Sequence, residues 1–210
     1  MIPPFKLYLF DVDGTLLDSA PDICGAVRDA LSEVGVTGLE ETYLRSFVGF
    51  HLFDLFKEVL PYYTMEQNHA LLARYRQIYL GRGHSTTRVY DGVPAMLAGL
   101  GGLKSTATTK STETARAILA QFGLASHFSH VQGTDGFPSK PEPNVIYRSL
   151  ELLGVQPDEC LMIGDAAPDM EAGRRAGVRT CAVSWGYGNQ EAMRAHQPDY
   201  WIESPAAMLS

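Results

Sequence analysis

Cysteine is scarce and unpatterned in this chain. Cys24, Cys160 and Cys181 are odd in number and far apart, and no Cys-x-x-Cys occurs. A disulfide framework and a thiolate zinc site are therefore not expected, and core filling is left as their role. Basic residues are also in deficit, with 17 Lys and Arg against 24 Asp and Glu, a net charge of -7 and a pI near 5.3. Nucleic acid and anionic membrane both reward a basic surface, so neither is expected as a partner, whereas a small anion held by local groups is compatible. No apolar run approaches the roughly 20 residues that span a bilayer. The start, Met1-Ile2-Pro3-Pro4, reaches Lys6 and Asp11 before a signal segment can form, so a cytoplasmic location is expected. Internal repeats and low-complexity tracts are missing as well. What remains is 210 residues, 45% hydrophobic and 20% charged, enough for a full core in one domain, or in one domain carrying a smaller insert.

Short β-rich apolar runs alternate with helical patterns along most of the chain. Strands are predicted at Lys6–Phe10, Lys104–Thr108, His130–Gln132, Cys160–Gly164 and Arg179–Ser184. Helices are predicted between the later strands, at Val93–Leu100, Thr112–Phe122, Asn144–Leu153 and Pro168–Ala176, as a parallel sheet with crossovers requires. The reading is a doubly wound α/β sheet. Residues 19–85 break the rhythm, reading as successive helices with no strand. The first of these puts Ile23, Val27, Ala30, Leu31 and Val34 on one face, with Ser19 as N-cap and Pro21 in the first turn. Others cover Leu52–Leu60 and Met65–Leu80. Leu17–Ser19 and Gly81-Arg82-Gly83 are the expected hinges of this insert.

The chemistry concentrates where strands end. Asp11-Val12-Asp13-Gly14-Thr15 follows the first strand, and the period of two sends both carboxylates to one side, about 6 to 7 Å apart. Two like charges at the edge of a core are costly unless a cation neutralises them or one keeps its proton. Gly14 lets the chain turn without blocking what approaches. Ligands of open parallel sheets bind beyond the carboxyl ends of the strands, and three further sites fall there. Gly164-Asp165-Ala166-Ala167-Pro168-Asp169 sets Asp165 at a strand exit and Asp169 in the next helix's first turn, where it would also complement the helix N-terminus. Thr106-Ala107-Thr108-Thr109-Lys110 offers a hydroxyl for a phosphoryl oxygen. Ser139-Lys140-Pro141-Glu142-Pro143 holds a lysine between rigid extended residues.

In this order and spacing the four pieces resemble the motifs of the haloacid dehalogenase superfamily of phosphohydrolases. Asp18-Ser19-x-Pro21, Gly133-Thr134-Asp135, Lys140-Pro141-Glu142-Pro143, Ala172-Gly173-x-x-Ala176-Gly177 and Trp185-Gly186-Tyr187-Gly188 extend the resemblance over the whole chain, within the phosphoglycolate phosphatase-like branch. The resemblance implies a Rossmann-like core, residues 1–18 and 86–210, with an inserted helical cap at 19–85. It further implies a phosphatase in which Asp11 is the nucleophile and forms an aspartyl-phosphate, while Asp13 is the general acid and base. Mg²⁺ is the implied cofactor, held by Asp11, Asp165, the backbone carbonyl of Asp13, and Asp169 through a water. Lys140 offsets the charge, and Thr108 binds a phosphoryl oxygen, with Thr106 and Thr109 as alternatives because the strand before them, entered through Leu100-Gly101-Gly102-Leu103, is unusually polar.

Selectivity is expected in the cap. The segment Leu44–His51 supplies Arg45, Phe50 and His51 as candidate contacts to a small phosphorylated metabolite, with 2-phosphoglycolate first. The chain is expected to be a monomer or homodimer. A haloalkanoate dehalogenase does not need Asp13, and a phosphonate hydrolase needs a cap lysine, where only Lys57 stands. A sugar phosphomutase and a pyrophosphatase remain alternatives in the same superfamily. A non-enzymatic phosphoreceiver uses Asp, Thr and Lys too, but in a different order and without an Asp-x-Asp pair.

Overall fold

The apolar run after Lys6 becomes the structural centre of the protein. In the computed structural model, which describes residues 2–209, it forms β1 (Leu7–Phe10), with all four side chains buried. The chain continues through β2 (Leu17–Asp18) into four helices: α1 (Ala20–Ser32), α2 (Glu41–Arg45), α3 (Leu52–Val59) and α4 (Met65–Gly81). β3 (Arg88–Val89) brings it back, followed by α5 (Val93–Gly99), β4 (Leu103–Thr106), α6 (Thr112–Gln121) and α7 (Asn144–Leu153). β5 (Cys160–Gly164), α8 (Ala167–Ala176), β6 (Arg179–Val183), α9 (Gln190–Ala195) and β7 (Tyr200–Ile202) complete it.

Five strands form one parallel sheet in the order β4-β1-β5-β6-β7. The doubly wound α/β reading is therefore correct. Side chains alternate between two cores, as the strand period requires. Tyr8, Phe10, Leu161 and Ile163 pack with Met96, Leu97, Ile118 and Leu119 of α5 and α6. Leu7, Leu9, Cys160 and Met162 pack with Val145, Ile146, Ala172 and Ala176 of α7 and α8. After β4 the chain crosses back past β1 to reach β5, so the winding reverses beside β1 and a crevice opens at the strand ends there. Asp11, Thr108 and Asp165 all stand at that edge.

Among the described residues, 19–87 contain no strand. α1 to α4 bury a core of their own, including Ile23, Val27, Leu31, Leu55, Phe56, Leu71, Leu72 and Tyr75, each large side chain contributing about 1.5 to 3 kcal/mol. α4 begins with a capping box: Thr64 Oγ1 accepts from the Gln67 N–H at 3.2 Å, and the Gln67 side chain accepts from the Thr64 N–H at 2.8 Å. Two sets of contacts join the segment's ends. β2 and β3 pair antiparallel, Leu17 with Val89 and Asp18 with Arg88. Beside them, buried Asp22 Oδ2 on α1 accepts from the N–H groups of Thr86 and Thr87 and from the Thr87 hydroxyl.

Four local expectations need correction. His130–Gln132 is not a strand; Thr106 Oγ1 bonds both the N–H and the carbonyl of Gln132, so a side chain rather than a ladder holds it. α1 stops at Ser32 and leaves Val34 38% exposed. Ser19 does precede α1, but its hydroxyl makes no cap bond and turns to Asp13 instead. Gly81 ends α4, and the two crossings meet at the β2–β3 ribbon, beyond the expected hinge at Gly83. The short β7 lacks a long apolar run and was not anticipated.

Candidate active site

Asp11, Asp165, Asp169 and Lys140 converge at the crevice, all buried. Asp11 and Asp165 leave the neighbouring strands β1 and β5. Asp169 sits in the first turn of α8, where its Oδ2 accepts from the Ala166 N–H at 3.0 Å, so the helix-capping role holds as well. Lys140 Nζ reaches Asp169 Oδ1 and lies 3.0 Å from Asp11 Oδ1. Burial alone lowers the Lys140 pKa, but Asp11 and Asp169 outweigh it and hold the ammonium above its usual range. Asp11 is pushed well above the carboxylate range by burial first; Lys140 opposes this, while Asp169, Asp165 and Asp13 reinforce it. Burial, then Asp169, raises Asp165 to about 7, against the pull of the Tyr187 N–H, the Thr15 hydroxyl and Lys140.

Asp13 is held by a separate set of partners. Its Oδ1 accepts from Ser19 Oγ at 2.5 Å, and its Oδ2 lies 2.9 Å from Lys110 Nζ. Lys110 also donates to the Tyr79 hydroxyl at 3.0 Å and sits 4.6 Å from the ring centroid. Burial pulls its pKa down, yet Asp13 and then Tyr79 raise it overall. Lys110 was missed from the sequence, although it follows Thr108 and Thr109 directly. Of the three candidate hydroxyls, Thr106 is engaged with Gln132, whereas buried Thr108 Oγ1 only accepts, from the Lys110 N–H at 3.3 Å, and retains its proton to donate. Thr109 opens instead on a cavity.

Comparison with known proteins agrees with this arrangement. The family model of haloacid dehalogenase-like hydrolases matches residues 8–183. The chain belongs to that family. It is 34% identical to a phosphoglycolate phosphatase of Vibrio vulnificus, over 97% of this chain and 94% of that one. Identity to a 5'-nucleotidase of Pseudomonas aeruginosa is 33%, over 95% and 92%. The crystal structure of a predicted phosphatase from Clostridium acetobutylicum superposes with a TM-score of 0.91 at 29% identity, covering 99% of this chain and 97% of that one.

In this haloacid dehalogenase-like hydrolase a cavity of about 140 Å³ lies between the helical segment and the sheet edge. Asp13, Thr109 and Lys110 line one side; Ile23, Phe47, Phe50 and Tyr75 give it apolar walls. His51 and Arg76 also line it. His51 is half-buried, caps α3 through Nδ1 from the Phe53 N–H at 3.3 Å, and has a pKa lowered by burial. Arg45 does not line it. That side chain pairs with Glu41 at 3.4 Å, one helical turn away, and its guanidinium lies 5.8 Å from the Tyr187 ring centroid. Arg76, exposed on α4, has no carboxylate partner among the described residues. Lys57 is exposed on α3 and lines no part of the cavity.

The carboxylate cluster fits a hard divalent cation. Asp11, Asp165 and Asp169 each offer an oxygen within 4.8 Å of the others, a donor set without nitrogen or sulfur that suits Mg²⁺. Asp11 Oδ1 is buried and accepts no well-directed hydrogen bond. Four carboxylates face only two ammonium groups here, which leaves two negative charges for a cation to match. The Asp13 side chain lies outside the set, held by Ser19 and Lys110, so its expected metal role is confined to the backbone carbonyl.

Proposed function

We propose that the protein is a Mg²⁺-dependent phosphomonoesterase of small phosphorylated metabolites, with 2-phosphoglycolate as its first candidate substrate. The observation that carries this reading is the pair Asp11 and Asp13. One carboxylate lies within the buried acidic cluster beside Lys140, and the other opens on the cavity where a leaving group would sit. A carboxylate oxygen of Asp11 attacks phosphorus, forming an aspartyl-phosphate as the bond to the leaving oxygen breaks. Asp13 gives that oxygen its proton and later takes one from the water that cleaves the acyl phosphate. Lys140 and the Thr108 hydroxyl bind the equatorial oxygens, positioning the group more than activating it. Asp11, Asp165 and Asp169 would hold Mg²⁺, which would supply charge neutralisation on the phosphoryl oxygens. Residues 19–85 act as a cap that excludes water and reads the leaving group.

The carboxylate of the substrate is received by Lys110, Arg76 and His51 rather than by Arg45. No helix among the described residues is long and apolar enough to cross a membrane. A panel of phosphomonoesters, pyrophosphate and acyl phosphates assayed with Mg²⁺ tests the reading. The expected kcat/KM for 2-phosphoglycolate exceeds that of hexose phosphates by at least about tenfold, or about 1.4 kcal/mol, and Arg76→Ala narrows the gap. Preference for a nucleoside 5'-monophosphate would favour the activity named for the Pseudomonas relative, which the aromatic cavity walls also suit. A phosphoprotein stable for hours without turnover would instead indicate a receiver.

A further inference from the structure

The loop Trp185-Gly186-Tyr187-Gly188 passes directly over Asp165. The Tyr187 N–H donates to Asp165 Oδ2 at 2.9 Å, and a Cβ on Gly186 or Gly188 would overlap Asp165 atoms, so backbone lies against the residue as closely as backbone can. Trp185 Nε1 donates to the Thr15 carbonyl at 3.0 Å, and the Thr15 hydroxyl donates to Asp165 Oδ1 at 2.9 Å, fixing the loop on a second side. The far end of Tyr187 reaches the point where the chain leaves the sheet for α1. Its hydroxyl donates to Asp18 Oδ1 at 2.5 Å and accepts from the Ala20 N–H at 3.0 Å. Its ring packs against the core of α1 to α4, beneath the Arg45 guanidinium.

We propose that Tyr187 is a positioning residue that couples the seating of the helical segment to the orientation of Asp165. A tyrosine has two side-chain torsions and a rigid ring, so its phenol cannot travel far while its amide stays in place. If Asp18 to Ala20 move outward with the helices, the phenol follows and draws the amide from Asp165, or it stays and leaves Asp18 and Ala20 without their partner. The first course changes the two ends together; the second costs the segment its two bonds to the phenol, so the first is the one that keeps them. By linkage the effect is reciprocal: whatever fixes Asp165 also holds the segment seated. The inference rests on the proposed function only in taking a divalent cation as the ligand of Asp165.

The test uses the whole 210-residue chain and Tyr187→Phe, which keeps ring and amide and removes the phenol's bonds to Asp18 and Ala20, together with its contact to Tyr90. Mn²⁺ alone is titrated calorimetrically, and amide hydrogen exchange is followed without metal. Mn²⁺ affinity is expected to fall about three- to tenfold although no cation ligand has changed, and exchange to accelerate at both 18–24 and 185–188. Asp18→Asn, checked for fold by circular dichroism, moves both readouts the same way by less and stands in if Tyr187→Phe fails to fold. Asp165→Asn tests the reverse direction and should accelerate exchange at 18–24. Unchanged Mn²⁺ affinity in Tyr187→Phe, or faster exchange confined to the altered end, overturns the coupling. If the unaltered protein binds no Mn²⁺, the metal reading falls, and the exchange data alone decide the coupling.

Discussion

Asp11 and Asp13 leave the same turn two residues apart, each with a lysine ammonium about 3 Å away, yet the two pairs draw on different parts of the molecule. Lys140 is shared by Asp11 and Asp169, and every member of that group comes from the sheet or the loops and helices that flank it. Lys110 is held between Asp13 and the hydroxyl of Tyr79, which belongs to α4, while Ser19 at the threshold of α1 takes the second Asp13 oxygen. The first pair is complete without the helical segment. The second takes two further partners, Tyr79 and Ser19, from that segment and its threshold. On the proposed function, the phosphate chemistry rests on the sheet and its flanking elements, and the group that meets the leaving portion shares partners with the helical segment.

The sharpest way to break this comparison is to disable each side separately. Asp11→Asn should lower turnover by at least about 10⁴-fold while the fold persists, since it removes the proposed nucleophile and keeps its shape; steady-state kinetics, with mass spectrometry to exclude deamidation, decides it. Asp13→Asn should cost about 10² to 10⁴-fold, with nitrophenyl phosphate less affected than alkyl phosphates because its leaving group needs no proton. Equal slowing of both would remove the acid role. In urea denaturation, Lys110→Met should cost about 3 kcal/mol by stranding a buried carboxylate, and Tyr79→Phe about 1 kcal/mol by removing a single partner. Equal losses would mean that Lys110 is not what anchors Asp13.

The smallest effect lies in pH. Asp165 has an acid held at about 7 against an ordinary 3.8, so between these values the folded protein keeps a proton that the unfolded chain has lost. Stability without metal therefore falls as pH rises through that window, and Mg²⁺, which replaces the proton, should restore more at about pH 8 than at about pH 5.5. A thermal shift larger by a few degrees at the higher pH is expected. A metal-induced shift that shrinks as pH rises would contradict the buried, proton-retaining state of Asp165.

The rigid side of the comparison is also the side legible in sequence. Asp11, Thr108, Lys140, Asp165 and Asp169 lie just past strand ends or beside prolines, where chain direction alone brings them to one crevice. The second pair was harder to see, because Lys110 and Tyr79 are 31 residues apart and meet through the packing of α4, which no local pattern encodes. Arg45 misled for the opposite reason. Its partner Glu41 stands at the i,i+4 spacing that favours a surface ion pair, a simpler use for the charge than substrate binding. His130–Gln132 has the apolar alternation of a strand but lacks a ladder partner, since Thr106 meets it with a side chain.

That last contact bears on how copies of the protein meet one another. β4 is the outermost strand of the sheet on its side, and an open outer strand offers its free N–H and carbonyl groups to any extended chain that approaches. Here the carbonyl of Lys104 receives the Ser129 N–H at 2.9 Å, and the Thr106 hydroxyl grips both polar groups of Gln132. The stretch from Ser129 to Gln132 thus works as a fence along that border: too irregular to extend the sheet, it takes up the Lys104 carbonyl that a foreign strand would use.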